Sequence, residues 1–344
     1  MAETLEVWGK DMRRRTVVSS LLVAAAVFAL LVWPGWIAGS GDGASRRSLE
    51  SNTTPTRVSQ VRAKGDVPTQ IPLPVATPTP VLPRPQNVTG ASAPWVNAEQ
   101  IAVVDDLSGE LIYGRNEHER TPMASVTKIA TAIVALEHGN LQDIVRVNYD
   151  PNELYDSTAM GCNPGEWYTL EDLLYGLMLP SGNDAALAIA NHIAGSKDAF
   201  VALMNEKVRE LGLNDTHFVN PHGLDEAGHY SSAYDMAMLA RYAMKNPDFR
   251  KLASAKLWDV RGSKSYRIFN LNRFLWNYEG ADGVKIGYTE GAGRTTVASA
   301  SRGGHRVYVS FMHGGDIVKD VVPLFDYVFK NFEWRYPVPG ASSR

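Results

Sequence analysis

The sequence predicts an α+β domain: β and α elements from both ends of the globular region share one sheet, with a helical block inserted between them. Three observations predict it. Apolar residues alternate with period two around residues 100–114 and again around 284–312. Between those stretches, as far as about Lys256, the spacing is helical and the breaks carry helix-stop residues. Only one cysteine, Cys162, is present in 344 residues, which rules out an intramolecular disulfide framework and leaves the fold to its own core. Cys162 itself reads as a small buried hydrophobe.

The chain begins with a short basic segment, residues 1–15, closing on Arg13, Arg14 and Arg15. No charged residue follows from Thr16 to Gly41, and Val17 to Trp33 is almost wholly apolar. That length approaches the roughly 20 residues that cross a hydrocarbon core. The arginines favour a cytoplasmic N-terminus. Residues 16–38 are therefore expected to be a transmembrane signal anchor with the rest of the chain extracytoplasmic. A cleaved signal peptide processed near Ala38-Gly39-Ser40 is the competing reading, and it too places the body outside the cytoplasm. Residues 39–94 hold nine of the nineteen prolines among Ser, Thr and Val, and read as an extended linker.

The globular domain is expected at 95–336, with a short tail at 337–344. Gln100–Asp105 and Glu110–Gly114 read as a hairpin across Asp-Leu-Ser-Gly. Ser125 to His138 reads as a helix between Pro122 and Gly139, followed by helices at Leu170–Leu179, Asp184–Ile193, Lys197–Leu211 and Ala233–Met244. Strands are expected at Val284–Tyr288, Thr295–Ser301 and Arg306–Met312, and a closing helix at Ile317–Phe332.

Three short signatures fall in order on these elements: Ser125-Val-Thr-Lys128, Ser181-Gly-Asn183 and Lys285-Ile-Gly287, and none is repeated in the chain. Each alone is weak, since two fixed residues recur by chance about once in a chain this long. Together they carry acyl-transfer chemistry. A serine hydroxyl needs a base. Residues three apart share a helix face, so Lys128 would project beside Ser125. Burial and a second cation, Lys285, would lower the lysine pKa and make it that base. The helix start supplies N–H groups for an oxyanion. Ser181 and Asn183 lie where one helix stops and the next begins, aimed to relay a proton and hold a carbonyl; the plainer reading of both is turn and cap chemistry. Lys285 and Gly287 share one face of a strand, suited to anchoring a carboxylate and admitting a peptide as an added strand.

The chain resembles the serine D-alanyl-D-alanine carboxypeptidases, the low-molecular-mass penicillin-binding proteins. Beyond the signatures, Met123–Ala130, Leu173–Ala186, Asn220–Asp225, Ser232–Ala240 and Asp282–Thr289 are similar to family segments, over about residues 97 to 333. The resemblance implies the penicillin-binding, β-lactamase-like serine transferase fold, an antiparallel sheet with flanking helices and an inserted helical subdomain. It implies removal of the terminal D-alanine from peptidoglycan stem peptides ending in D-Ala-D-Ala, through an acyl-enzyme on Ser125. Lys128 would be the base, Ser181 the proton relay, Asn183 a positioning group and Lys285 the carboxylate anchor. The N–H groups of Ser125 and Tyr288 would form the oxyanion hole, and β-lactams would acylate Ser125.

The chain departs from the family where threonine is usual, at Ile286; Thr289 is the neighbouring hydroxyl that would take over. The chain ends soon after its last helix, so the anchoring role would be expected to fall to the N-terminal segment. A class A β-lactamase is disfavoured by Gly182 in place of aspartate in the second signature. A D,D-endopeptidase acting on cross-links would use the same residues, and a non-catalytic peptidoglycan or β-lactam binder has Ile286 as its only support. No cofactor or metal is expected: the eight histidines form no His-Glu-x-x-His, and His222 and His229 read as hydrogen-bonded or solvent-facing loop residues. A net charge of −3 argues against a nucleic-acid partner.

Overall fold

The computed structural model describes residues 81–154 and 157–337. The expected anchor, most of the linker and the last seven residues lie outside them. The described chain opens with strands β1 (Arg84–Asn87), β2 (Gln100–Asp105) and β3 (Leu111–Arg115). A 3-10 turn, Ala124–Thr127, runs directly into helix α1 (Lys128–His138). The small hairpin β4 (Ile144–Arg146) and β5 (Trp167–Thr169) precedes α2 (Leu170–Met178), α3 (Asn183–Ala194), α4 (Lys197–Glu210), α5 (Ala233–Ala243) and α6 (Pro247–Ser254). A second hairpin, β6 (Leu257–Arg261) with β7 (Ser265–Phe269), and the short α7 (Phe274–Asn277) lead to β8 (Ala281–Thr289), β9 (Gly293–Arg302) and β10 (His305–Gly314). Helix α8 (Ile317–Asn331) and β11 (Phe332–Arg335) close the chain.

Local chemistry starts the helices where the sequence places capping residues. Thr169, Ser196 and Ser232 each accept the backbone N–H three residues on, at the starts of α2, α4 and α5. Asn246 does the same for α6 with Pro247 at the first helical position, and the Asp316 carboxylate caps α8. The five-stranded sheet runs β3-β2-β10-β9-β8, antiparallel throughout. Side-chain alternation divides it between two cores. Ala102, Val104, Val297, Tyr308 and Met312 face the helical block, whereas Ile101, Val103, Ala298, Val309 and Phe311 face α8. On the α8 side Phe325 is fully buried and stacks on Phe274 at 5.2 Å. Truncating such a phenylalanine to alanine costs about 3–5 kcal/mol.

The structure moves two of the expected boundaries. The linker does not extend to residue 94, because Arg84–Asn87 pairs with Phe332–Arg335, Arg84 opposite Arg335. A proline-containing segment can form this strand because it lies at an edge, where missing N–H groups are tolerated. The helix expected at Ser125 begins instead as a 3-10 turn, whose first residue, Ala124, lies in the left-handed region at φ 51°. What matters for the site is that β8 is an edge strand and that its C-terminal half lies against this turn.

Candidate active site

The start of α1, the loop between α2 and α3, and the edge strand β8 meet at Lys128. Its side chain is fully buried. The ammonium nitrogen lies 2.8 Å from Ser125 Oγ, 2.6 Å from Asn183 Oδ1 and 2.6 Å from the carbonyl oxygen of His222. Two of these partners accept only; the hydroxyl both accepts and donates. A neutral amine has two protons and one lone pair. With Asn183 and His222 taking the protons, the lone pair is left facing the Ser125 hydroxyl. Burial, reinforced by the charge of Lys285, pushes the Lys128 pKa well below its ordinary value, while Asp184 opposes the shift. Geometry and charge thus agree on a lysine able to take a serine proton.

Ser181 occupies the left-handed region at φ 65°. Its hydroxyl is buried and has no hydrogen-bond partner among the described residues. Two contacts from the segment before β5 hold this turn: Thr158 Oγ1 donates to the Ser181 carbonyl at 2.7 Å, and the Asn183 N–H donates to the Thr158 carbonyl at 2.9 Å. Below it the buried Asp184 carboxylate accepts the N–H groups of Met160, Gly161 and Cys162 at 2.7–3.0 Å. The second signature is therefore an imposed conformation, held by a loop some twenty residues earlier. Cys162 is free and buried, and burial raises its thiol pKa far above the ordinary value.

On β8, Lys285 is 2% exposed, and among the described residues its ammonium group hydrogen-bonds only the carbonyl of Ile286, at 3.0 Å. Burial lowers its pKa to about 7. Gly287 is required by close approach: a Cβ there would fall 2.7 Å from the Ser125 nitrogen and 2.6 Å from Thr295 Oγ1. Glycine keeps that N–H open to a substrate oxygen. Tyr288 is 64% exposed, with the Arg294 guanidinium 5.8 Å from its ring centre. Thr289 differs from expectation. Its hydroxyl donates to Asp225 Oδ1 at 2.7 Å, tying the end of β8 to the loop before α5, and so does not replace the hydroxyl absent at Ile286.

Ser125, Lys128, Asn183 and Gly287 are thus in direct apposition, with Ser181 and Lys285 on the neighbouring walls. Sequence reasoning missed the His222 carbonyl, Asp184 and Thr158. A carbonyl leaves no trace in residue type, and the other two act across gaps of more than twenty positions. His222 and His229 are buried and hydrogen-bonded; burial lowers their pKa values to about 3 and about 4.

The sequence profile of the D-alanyl-D-alanine carboxypeptidase family matches residues 87–315. D-alanyl-D-alanine carboxypeptidase DacB2 of Mycobacterium tuberculosis is 38% identical over 251 residues, covering 71% of this chain and 84% of that protein. DacF of Bacillus subtilis is 36% identical over 247 residues, 69% of this chain; the match spans 63% of the longer relative. Among solved structures, a D-alanyl-D-alanine carboxypeptidase from Mycobacterium tuberculosis superposes with a TM-score of 0.67 at 33% identity, covering 75% of this chain and 98% of that one. A variant of the Streptomyces K15 DD-transpeptidase gives 0.65 at 30% identity, covering 69% and 99%.

Proposed function

The chain belongs to the D-alanyl-D-alanine carboxypeptidase family, and from that premise we propose that it is a serine D,D-carboxypeptidase acting on peptidoglycan stem peptides that end in D-Ala-D-Ala. The observation that carries the reading is Lys128, buried, with its pKa lowered and its lone pair left for Ser125. Neutral Lys128 takes the hydroxyl proton as Ser125 Oγ attacks the carbonyl of the penultimate D-alanine. The N–H groups of Ser125 and Tyr288 receive the oxyanion. The C–N bond then breaks, the departing amine takes a proton through Ser181, and water releases the shortened peptide from the ester. Asn183 orients the substrate, and Lys285 attracts its terminal carboxylate. β-Lactams enter the same path and stop at the acyl-enzyme. The wired Ser125–Lys128 pair favours turnover over a purely binding role.

The test is D-alanine release from a pentapeptide ending in D-Ala-D-Ala by the full chain in detergent, beside Ser125→Ala. Release should fall by at least about 10,000-fold in the variant with its melting temperature retained. Release that survives the substitution would remove Ser125 from the reaction. Following the peptide product as well as D-alanine separates hydrolysis from transfer to an amine.

We extend the proposal to place: the apolar run at 16–38 behind three arginines anchors the chain in the bacterial cell membrane with the catalytic domain outside. No helix among the described residues is long and apolar enough to cross a membrane. Cleavage of the domain by protease added to intact spheroplasts is the expected result; protection would place it inside.

A further inference from the structure

The residue that aims the nucleophile is not in any of the three signatures. We propose that His229 is a positioning residue: acting through Thr127, it fixes the Ala124 carbonyl and with it the left-handed turn that presents Ser125. This rests on the carboxypeptidase reading and adds a component to its site.

The hydrogen bonds assign themselves. Thr127 Oγ1 lies 2.8 Å from the Ala124 carbonyl and 2.8 Å from His229 Nε2. A hydroxyl has one proton, and the carbonyl can only accept, so Thr127 donates to Ala124 and accepts from Nε2–H. The other ring nitrogen, Nδ1, is then bare, and it accepts the Val219 N–H at 3.1 Å. Every proton in the chain Val219–His229–Thr127–Ala124 has a single consistent place. The imidazole is 4% exposed, and burial favours the uncharged form that this pattern needs.

The chain ends on a backbone position that needs holding. Ala124, next to the nucleophile, sits at φ 51°, which costs a residue with a Cβ about 1–2 kcal/mol. Such conformations persist where surroundings over-determine them. Here three contacts come from one loop. Gly223, at φ 93°, packs so closely that a Cβ on it would lie 2.0 Å from the Ala124 oxygen. The preceding His222 carbonyl takes a Lys128 proton. His229 closes the loop on Thr127. The histidine is itself held, because Tyr230 and Ser231 beside it pair with His217 and Thr121.

Two substitutions divide the imidazole between its contacts. His229→Asn keeps an oxygen near the Nδ1 position for Val219 but cannot reach Thr127. His229→Gln carries an amide N–H to the Thr127 hydroxyl. Single-turnover acylation by a fluorescent penicillin, steady-state D-alanine release and the melting temperature are measured on full chains, together with Thr127→Val and Thr127→Ser. His229→Asn and Thr127→Val are expected to slow acylation and lower kcat about 10- to 100-fold with KM within about twofold, the scale of a small misplacement of reacting groups. His229→Gln and Thr127→Ser are expected to recover most of that rate. Wild-type acylation in His229→Asn, or a His229→Gln as slow as His229→Asn, would overturn the assignment while leaving the carboxypeptidase reading intact. A wild-type chain that neither releases D-alanine nor takes up penicillin overturns both.

Discussion

The site contains two buried lysines, one on a helix and one on an edge strand, and their surroundings differ in kind. Lys128 on α1 has three polar partners drawn from three separate parts of the chain. Lys285 on β8 is as deeply buried, but among the described residues it hydrogen-bonds only the carbonyl of its neighbour. Burial depresses both pKa values, so burial alone does not separate their roles. Partnering does. A lysine whose protons are already assigned has only a lone pair to offer, which is what a base needs. One buried almost without partners holds its attraction in reserve for an anion that has yet to arrive, because an unpaired cation in a poorly hydrated place gains most from a carboxylate.

The comparison can be broken most easily at Lys128. Lys128→Met should lower acylation about 1,000-fold or more, since it deletes the base. It also leaves Asn183 Oδ1 and the His222 carbonyl without a donor, so the melting temperature should not rise. An active Lys128→Met would transfer the base role elsewhere.

Lys285→Met should behave differently in both respects. Losing a charge-assisted contact to the substrate predicts a fall of about 10- to 100-fold in kcat/KM. Stability should increase, and the sign of its pH dependence follows from linkage. The folded pKa is about 7 against an ordinary 10.5. Between those values the unfolded chain binds a proton that the folded chain has released, so wild-type stability rises with pH across that window. The variant's advantage is then largest at and below pH 7 and vanishes near 10.5, as urea titrations at several pH values would show. For catalysis, the attraction of Lys285 for the substrate carboxylate should weaken as pH rises through about 7, while loss of a proton from Lys128, whose pKa burial lowers, supplies the neutral base. An alkaline limb of kcat/KM that survives in Lys285→Met would belong to another group.

The smallest effect is expected next door. Ile286→Thr restores a hydroxyl beside Lys285, and about 1 kcal/mol for one neutral hydrogen bond corresponds to roughly fivefold tighter peptide binding. Unchanged KM would mean that the substrate carboxylate is held without that position.

The parts of the site that sequence reading found are those whose members are close in the chain. Ser125 and Lys128 are three apart, and the turn between them brings them together whether it is α or 3-10. The alternation of β8 put Lys285 and Gly287 on one face from residue pattern alone. Distance along the chain explains what was missed. His229 meets Thr127 across 102 positions, and β1 finds its partner at the far end of the sequence. Neither contact has a periodic pattern to announce it. The composition of Arg84–Asn87 points away from a strand, and only β11 makes it one. Likewise Asp184 reads as a helix-start residue until the loop carrying Met160 to Cys162 is folded onto it.

The strand pair β1–β11 gives the domain a polarity. Trp334 on β11 stacks on His305 at 4.1 Å and donates to Asp105 at 2.6 Å, which puts this ribbon at the β9–β10 turn. Gly287 pairs with Thr295 toward the opposite end of the same strands. From Arg302 to Thr295 along β9 is roughly 24 Å at about 3.4 Å per residue. The chain therefore enters the domain at its base while Ser125 works at its crown.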